Sequence, residues 1–157
     1  MFDTIRKFLS DLAVSEEPEV MVHNQKQLAE AALMYHVIAV DGIIEEVERK
    51  RMSEILGQKF DLDDDNSQNL LESAKLAEAE AIDLYRFTTI LKNALDEEER
   101  IAIIEGLWEM VFADGVIHEL EDNVVWRVSE LLGVDTRDRM AQKRKVWKRQ
   151  SSETQDE

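Results

Sequence analysis

The segment IAVDGIIEEVER at residues 38–49 returns as VFADGVIHELED at residues 111–122, a displacement of 73 positions. An apolar run, Asp-Gly, an apolar pair and a cluster of acids are thus written twice. Glycine supplies the left-handed backbone that ends a helix, and the aspartate before it can accept hydrogen bonds from amides the turn leaves free. Laying Asp41 on Asp114 brings Gly42 onto Gly115, Ile44 onto Ile117, Glu46 onto Glu119, Glu48 onto Glu121 and Met52 onto Val125. Both flanks have helical periodicity, so each copy is a helix, a tight turn and a second helix. Two such hairpins related by approximate symmetry would frame the core. Ile44 and Ile117 are expected to point inward and pin them.

One proline and five glycines leave few breakers, and most of the chain reads with helical period. The expectation is an all-α fold, a compact single-domain bundle of seven to eight helices. Phe2, Ile5, Phe8, Leu9 and Leu12 mark a first amphipathic helix, followed by a spacer containing Pro18; together these make an N-terminal segment, 1–22. This helix either docks on the bundle, which is the expectation, or offers a partner surface. The helical domain proper spans 23–149, and 150–157 read as a disordered acidic and polar tail.

Within the domain, a second helix runs from Gln25 to the Asp41-Gly42 break, and a third ends at Gly57 with Val47, Met52, Ile55 and Leu56 on its apolar face. A fourth is expected from Asp64 to Ala79 and a fifth from Ile82 to Ala94. Asp96 starts the sixth, where three glutamates suit the positive end of the helix dipole. The seventh carries Leu120, Val124, Val125, Val128, Leu131 and Leu132 to Gly133, and Asp135 or Thr136 caps an eighth.

Absence of cysteine excludes disulfides, thiolate metal sites and a cysteine nucleophile. Nineteen basic against thirty-five acidic side chains give a net charge of −16, which repels phosphate backbones and draws cations or basic partner surfaces. Nucleic-acid binding is therefore not expected. The basic tail RDRMAQKRKVWKRQ, with Arg137, Arg139, Lys143, Arg144, Lys145, Lys148 and Arg149 around Trp147, could touch an anionic surface such as a membrane periphery. The plainer reading, dipole compensation and pairing with an acidic body, is preferred. No apolar stretch approaches the roughly 18 residues of a membrane span, and the charged opening MFDTIRKFLSDL is unlike a signal peptide. A cytoplasmic location is the expectation.

No nucleophile motif, phosphate-holding glycine loop or carboxylate pair in an apolar cleft stands out, so no catalytic residue is assigned and the chain is not read as an enzyme. Asp61, Asp63, Asp65, Ser67, Asn69 and Glu72 have the ligand spacing of a calcium loop, but Asn66 stands at the obligatory glycine. A solvated loop capping the fourth helix is expected instead. His23 and His36 read as surface or boundary residues. For the acids of the repeated turn two readings stand: they cap helices, or they coordinate a hard cation.

The stretch EERIAIIEGLWEMVFADGVIHELEDNVVWRVSELLGV resembles the signature of the TerB-like tellurite-resistance family, to which the N-terminal domain of a membrane-anchored J-domain co-chaperone is also related. AVDGIIEEVE and DLYRFT are similar to that family too, and the likeness covers residues 25 to 145. It implies a compact helical fold, a link to tellurite or stress responses, and turn acids that hold a divalent metal: Asp41, Glu45 and Glu48 in the first copy, Asp114 and Glu121 in the second. His118 stands where Glu45 stands, which tilts the second site toward a transition metal. The function expected is a non-enzymatic interaction module with an unidentified protein partner and a divalent cation as its sole cofactor. The alternatives are a purely structural or co-chaperone-like domain without metal and, third, a metal-dependent hydrolase.

Overall fold

A computed structural model of the protein describes residues 18–40, 42–113, 115 and 119–155, with side chains from 25 to 152. Among these the chain is all-α, as expected, and no strand is present. Seven helices follow one another: α1 (Pro18–Ala39), α2 (Glu46–Phe60), α3 (Asp64–Glu80), α4 (Tyr85–Ala94), α5 (Glu97–Val111), α6 (Glu119–Leu132) and α7 (Thr136–Gln155). The helix expected over Phe2 to Leu12 lies outside the described residues.

Several boundaries depart from the sequence reading for local reasons. α1 begins at Pro18, earlier than Gln25, because proline has no amide to leave unpaired and its φ suits the first helical position. α2 runs past Gly57 to Phe60 and is ended by Asp61 at φ 54°. Gly57 serves close packing: a Cβ there would lie 2.9 Å from Ser67 Oγ and 3.2 Å from the Leu62 carbonyl oxygen. α4 starts at Tyr85, whose amide donates to Asp83 Oδ1 at 3.0 Å. α7 continues through the tail expected to be disordered from residue 150, since no glycine or proline interrupts it before Gln155.

Caps explain the remaining starts. Asp96 Oδ1 accepts from the Glu99 amide at 2.8 Å while Glu99 Oε1 accepts from the Asp96 amide at 3.2 Å, a reciprocal capping box. Asp63 Oδ1 accepts from the Asn66 amide and Asp135 Oδ1 from the Asp138 amide, each at 2.8 Å. The calcium-loop spacing is accordingly a decoy. Asp65, Ser67, Asn69 and Glu72 lie on α3, and Ser67 is buried against α2.

The core draws on all the helices, centred on α1 and α5, which pack against each other. Met34, Ile38 and Met52 from the first copy meet Leu107, Val111 and Val125 at the same repeat positions, all buried. The repeat also extends beyond the hairpins to a third helix in each half. α1 packs on α3 and α5 on α7, with α4 laid against α1 and α6. The α2–α3 turn (Asp61, Asp63) and the α6–α7 turn (Gly133, Asp135) correspond at a displacement of 72, one residue off the hairpin register.

The third helices are held by ion pairs at like places with the signs exchanged. Arg49 pairs with Glu72 of α3 at 3.0 Å, and its counterpart Asp122 pairs with Lys143 of α7 at 3.2 Å. His36 bonds Glu78 at 3.0 Å, while its counterpart Glu109 pairs with Arg149 at 2.8 Å. Glu72 and Glu78 have the same six-residue spacing as Lys143 and Arg149. Three of the basic tail residues, Lys143, Lys145 and Arg149, thus pair with the acidic body, as the plainer reading has it.

Two predictions follow from packing and charge. Gly106, inside α5, has nothing within 4 Å of a built Cβ. Gly106→Ala should raise stability in urea unfolding by about 0.5–1 kcal/mol, whereas Gly57→Ala should lower it by about 1 kcal/mol because overpacking outweighs the gain in helix propensity. Burial raises the pKa of Glu105, but hydrogen bonds and attraction from Arg149 and Lys145 outweigh that and hold it below the ordinary carboxylate value. A depressed carboxylate stabilises above its unfolded pKa and loses that contribution as pH falls through the folded value. Arg149→Gln should cost about 1 kcal/mol at neutral pH, and the deficit should shrink on acidification through that window.

Candidate functional site

At the two elbows, where each first helix gives way to its second, the glycines match in conformation and in hydrogen bond. Gly42 donates to the Ala39 carbonyl at 3.0 Å and Gly115 donates to the Phe112 carbonyl at 3.0 Å. Their φ angles are 83° and 82°. Ile44 is partly buried and packs against the core as expected; Ile117 lies outside the described residues.

The elbows share one end of the bundle. Arg51 Nη2, in the second turn of α2, reaches Glu109 Oε2, near the end of α5, at 3.2 Å. Glu109 also takes Arg149 from α7, so the junction between the elbows is charge-balanced across three helices. Trp108 donates its Nε1 proton to the Arg139 carbonyl at 3.1 Å and stacks on Phe112, whose ring meets Trp147 of α7 at 5.3 Å. Elbow two is therefore braced against the last helix by aromatic rings.

Of the acids singled out in the sequence, Glu48 and Glu121 are the ones the structure buries. They are 4% and 2% exposed, at the same repeat position in the first turns of α2 and α6. Burying a carboxylate is costly unless its oxygens are bonded, and Glu48 Oε1 accepts from the Glu45 amide at 3.1 Å. That contact is one half of a capping box. Glu45 itself is exposed, as are Glu46 and its counterpart Glu119. Asp41, Asp114 and His118 lie outside the described residues. Among the described residues no group of three or more His, Asp or Glu stands in a metal-holding arrangement.

Sequence periodicity misplaced two neighbours of these acids. Val47 and Leu120, assigned to apolar faces, are 46% and 52% exposed, again at matching positions. The signal was present in the repeat itself, which writes an apolar residue between two acids both times. A separate polar groove of about 740 Å³ lies between α2 and α3, lined by Arg49, Ser53, Gln58, Asp64 and Gln68.

Among the described residues no helix is long and apolar enough to cross a membrane. The elbow glycines should tolerate no Cβ, for backbone reasons alone, since each faces open space. Gly42→Ala and Gly115→Ala should each lower unfolding free energy by about 1–2 kcal/mol, and by similar amounts, in denaturant titration.

No curated protein and no solved structure matches the chain. A family model, that of tellurite resistance protein TerB, matches residues 27–144, more than half of the sequence and both elbows with it. Two equal glycine elbows at one end of an all-helical bundle therefore sit inside a recognised family domain, and the chain belongs to the TerB tellurite-resistance family.

Proposed function

We propose that this protein is a non-enzymatic, cytoplasmic interaction module of a tellurite or stress response, whose elbows take a divalent cation through Asp41, Glu45 and Glu48 and through Asp114, His118 and Glu121. The observation that carries this reading is the burial of Glu48 and Glu121 at the same repeat position, each six residues past a glycine of positive φ. Carboxylate oxygens are what hard cations take, and each carboxylate offers several lone-pair sites. Aspartates next to the elbow glycines bring a second charge to each turn. The imidazole at 118 makes the second position the one expected to favour a transition metal.

The Glu48 contact to the Glu45 amide also favours a second reading, in which the acids only cap helices and the domain is purely structural or co-chaperone-like. Asparagine still caps but lacks the charge a hard cation needs, so it separates the two. Calorimetric titration of chelator-treated protein with calcium, magnesium, manganese and zinc should give heat and a raised melting temperature, and Asp41→Asn with Asp114→Asn should abolish both while leaving metal-free stability unchanged. Absence of heat and of any melting shift at millimolar metal would remove the cation from the proposal.

A further inference from the structure

The acidic elbow end carries apolar residues that face solvent. Val47 and Leu120 are half exposed in both copies, and Ile43 is 68% exposed. Elsewhere the repeat matches buried with buried: Ile38 with Val111, Met52 with Val125, Glu48 with Glu121. Solvent-facing apolar positions repeated within that pattern point to a contact made outside the molecule. Exposed carboxylates of Glu45, Glu46 and Glu119 flank them, so the face calls for a partner with apolar and cationic groups together.

This chain has such a surface of its own. Arg137, Arg144 and Lys148 recur at i, i+7 and i+11 along α7 and form one exposed stripe. None of the three makes an ion pair among the described residues, in contrast to Lys143, Lys145 and Arg149 on the inward side of the same helix. Trp147 borders the stripe, 49% exposed, with its ring braced on Phe112. The Phe112 carbonyl accepts the elbow hydrogen bond from Gly115, so the cationic, aromatic strip lies immediately beside the acidic, apolar end.

Two adjacent complementary patches on one molecule are what a twofold contact needs, because each can meet its opposite on a second copy at the same time. We infer that the elbow end of one molecule docks on the outward face of α7 of a second copy, and reciprocally, to form a homodimer. Ile43, Val47 and Leu120 cover Trp147, while Glu46 and Glu119 face Arg144 and Lys148. Two bodies of net charge −16 repel at long range, but at physiological salt the screening length is about 8 Å, so the contacts within the interface decide the outcome. The inference deepens the interaction-module reading and requires no cation.

Sedimentation equilibrium in 0.15 M salt and chelator tests it, with circular dichroism checking that each variant keeps its helices. The wild-type chain, 18.2 kDa, should show a concentration-dependent dimer. Arg144→Glu with Lys148→Glu should weaken it about tenfold or more, as loss of close charge pairs does, and adding Glu46→Lys with Glu119→Lys in the same chain should restore it. A monomer at every concentration, a dimer indifferent to the reversal, or a failure of the restoring pair would each overturn the inference. Because no metal is present, such a failure leaves the cation titration to be judged on its own result.

Discussion

A residue with positive φ at each elbow is the constraint on which the rest of the molecule depends. Gly42 and Gly115, at 83° and 82°, each close the first helix of a pair, and those two first helices lie together in the core. The matched burial of Met34 with Leu107 and of Met52 with Val125 is the consequence. So is the burial of Glu48 and Glu121, each six residues past its glycine and in the first turn of the helix that follows. Side chains with no counterpart in chemistry, such as Tyr35 and Trp108, still share a place because the scaffold does.

Electrostatics distinguishes the halves that geometry makes alike. In one half the outer helix contributes the acids, Glu72 to Arg49 and Glu78 to the His36 ring. The other half reverses this, through Lys143 with Asp122 and Arg149 with Glu109. The basic terminus of an acidic protein thus has a structural origin in its inward side. Glu30 is the exception to easy pairing: burial pushes its pKa up even though Lys59 beside it pulls the other way. Its burial carries a desolvation cost that the exposed pairs do not bear.

Much of the fold was legible in the chain because helix ends leave strong local marks. Asp96 followed by Glu99, Asp63 and Asp135 announce starts, and Gly42, Gly115 and Gly133 announce stops. Gly57 misled because a glycine needed for the approach of Ser67 looks the same in sequence as one that ends a helix. Asp61 was silent for the converse reason, a non-glycine residue in the left-handed region. The third helix of each unit was hidden by two things together: a slip in register, one residue at the turn and two along the helix, and polar contacts whose acids change sides, so that no identity survives between α3 and α7. The shared burial of Glu48 and Glu121 follows from their common place in the repeat, whereas periodicity hid the exposure of Val47 and Leu120, because an apolar residue one position from the inward stripe satisfies the same period and only the acids on either side mark it.

The exchanged signs also bear on how such a chain avoids confusing its own parts. Duplicated units invite a strand of chain to settle in the wrong berth, within one molecule during folding or between neighbours at high concentration. Were α7 to occupy the place of α3, Lys143 would confront Arg49 and Arg149 would confront His36; in the opposite error Glu72 would meet Asp122 and Glu78 would meet Glu109. The first mistake sets cation against cation at Arg49 and loses the Glu78 acceptor at His36, and the second sets acid against acid at two points. The polarity of the outer helices works as a key that lets twin locks coexist in one polypeptide.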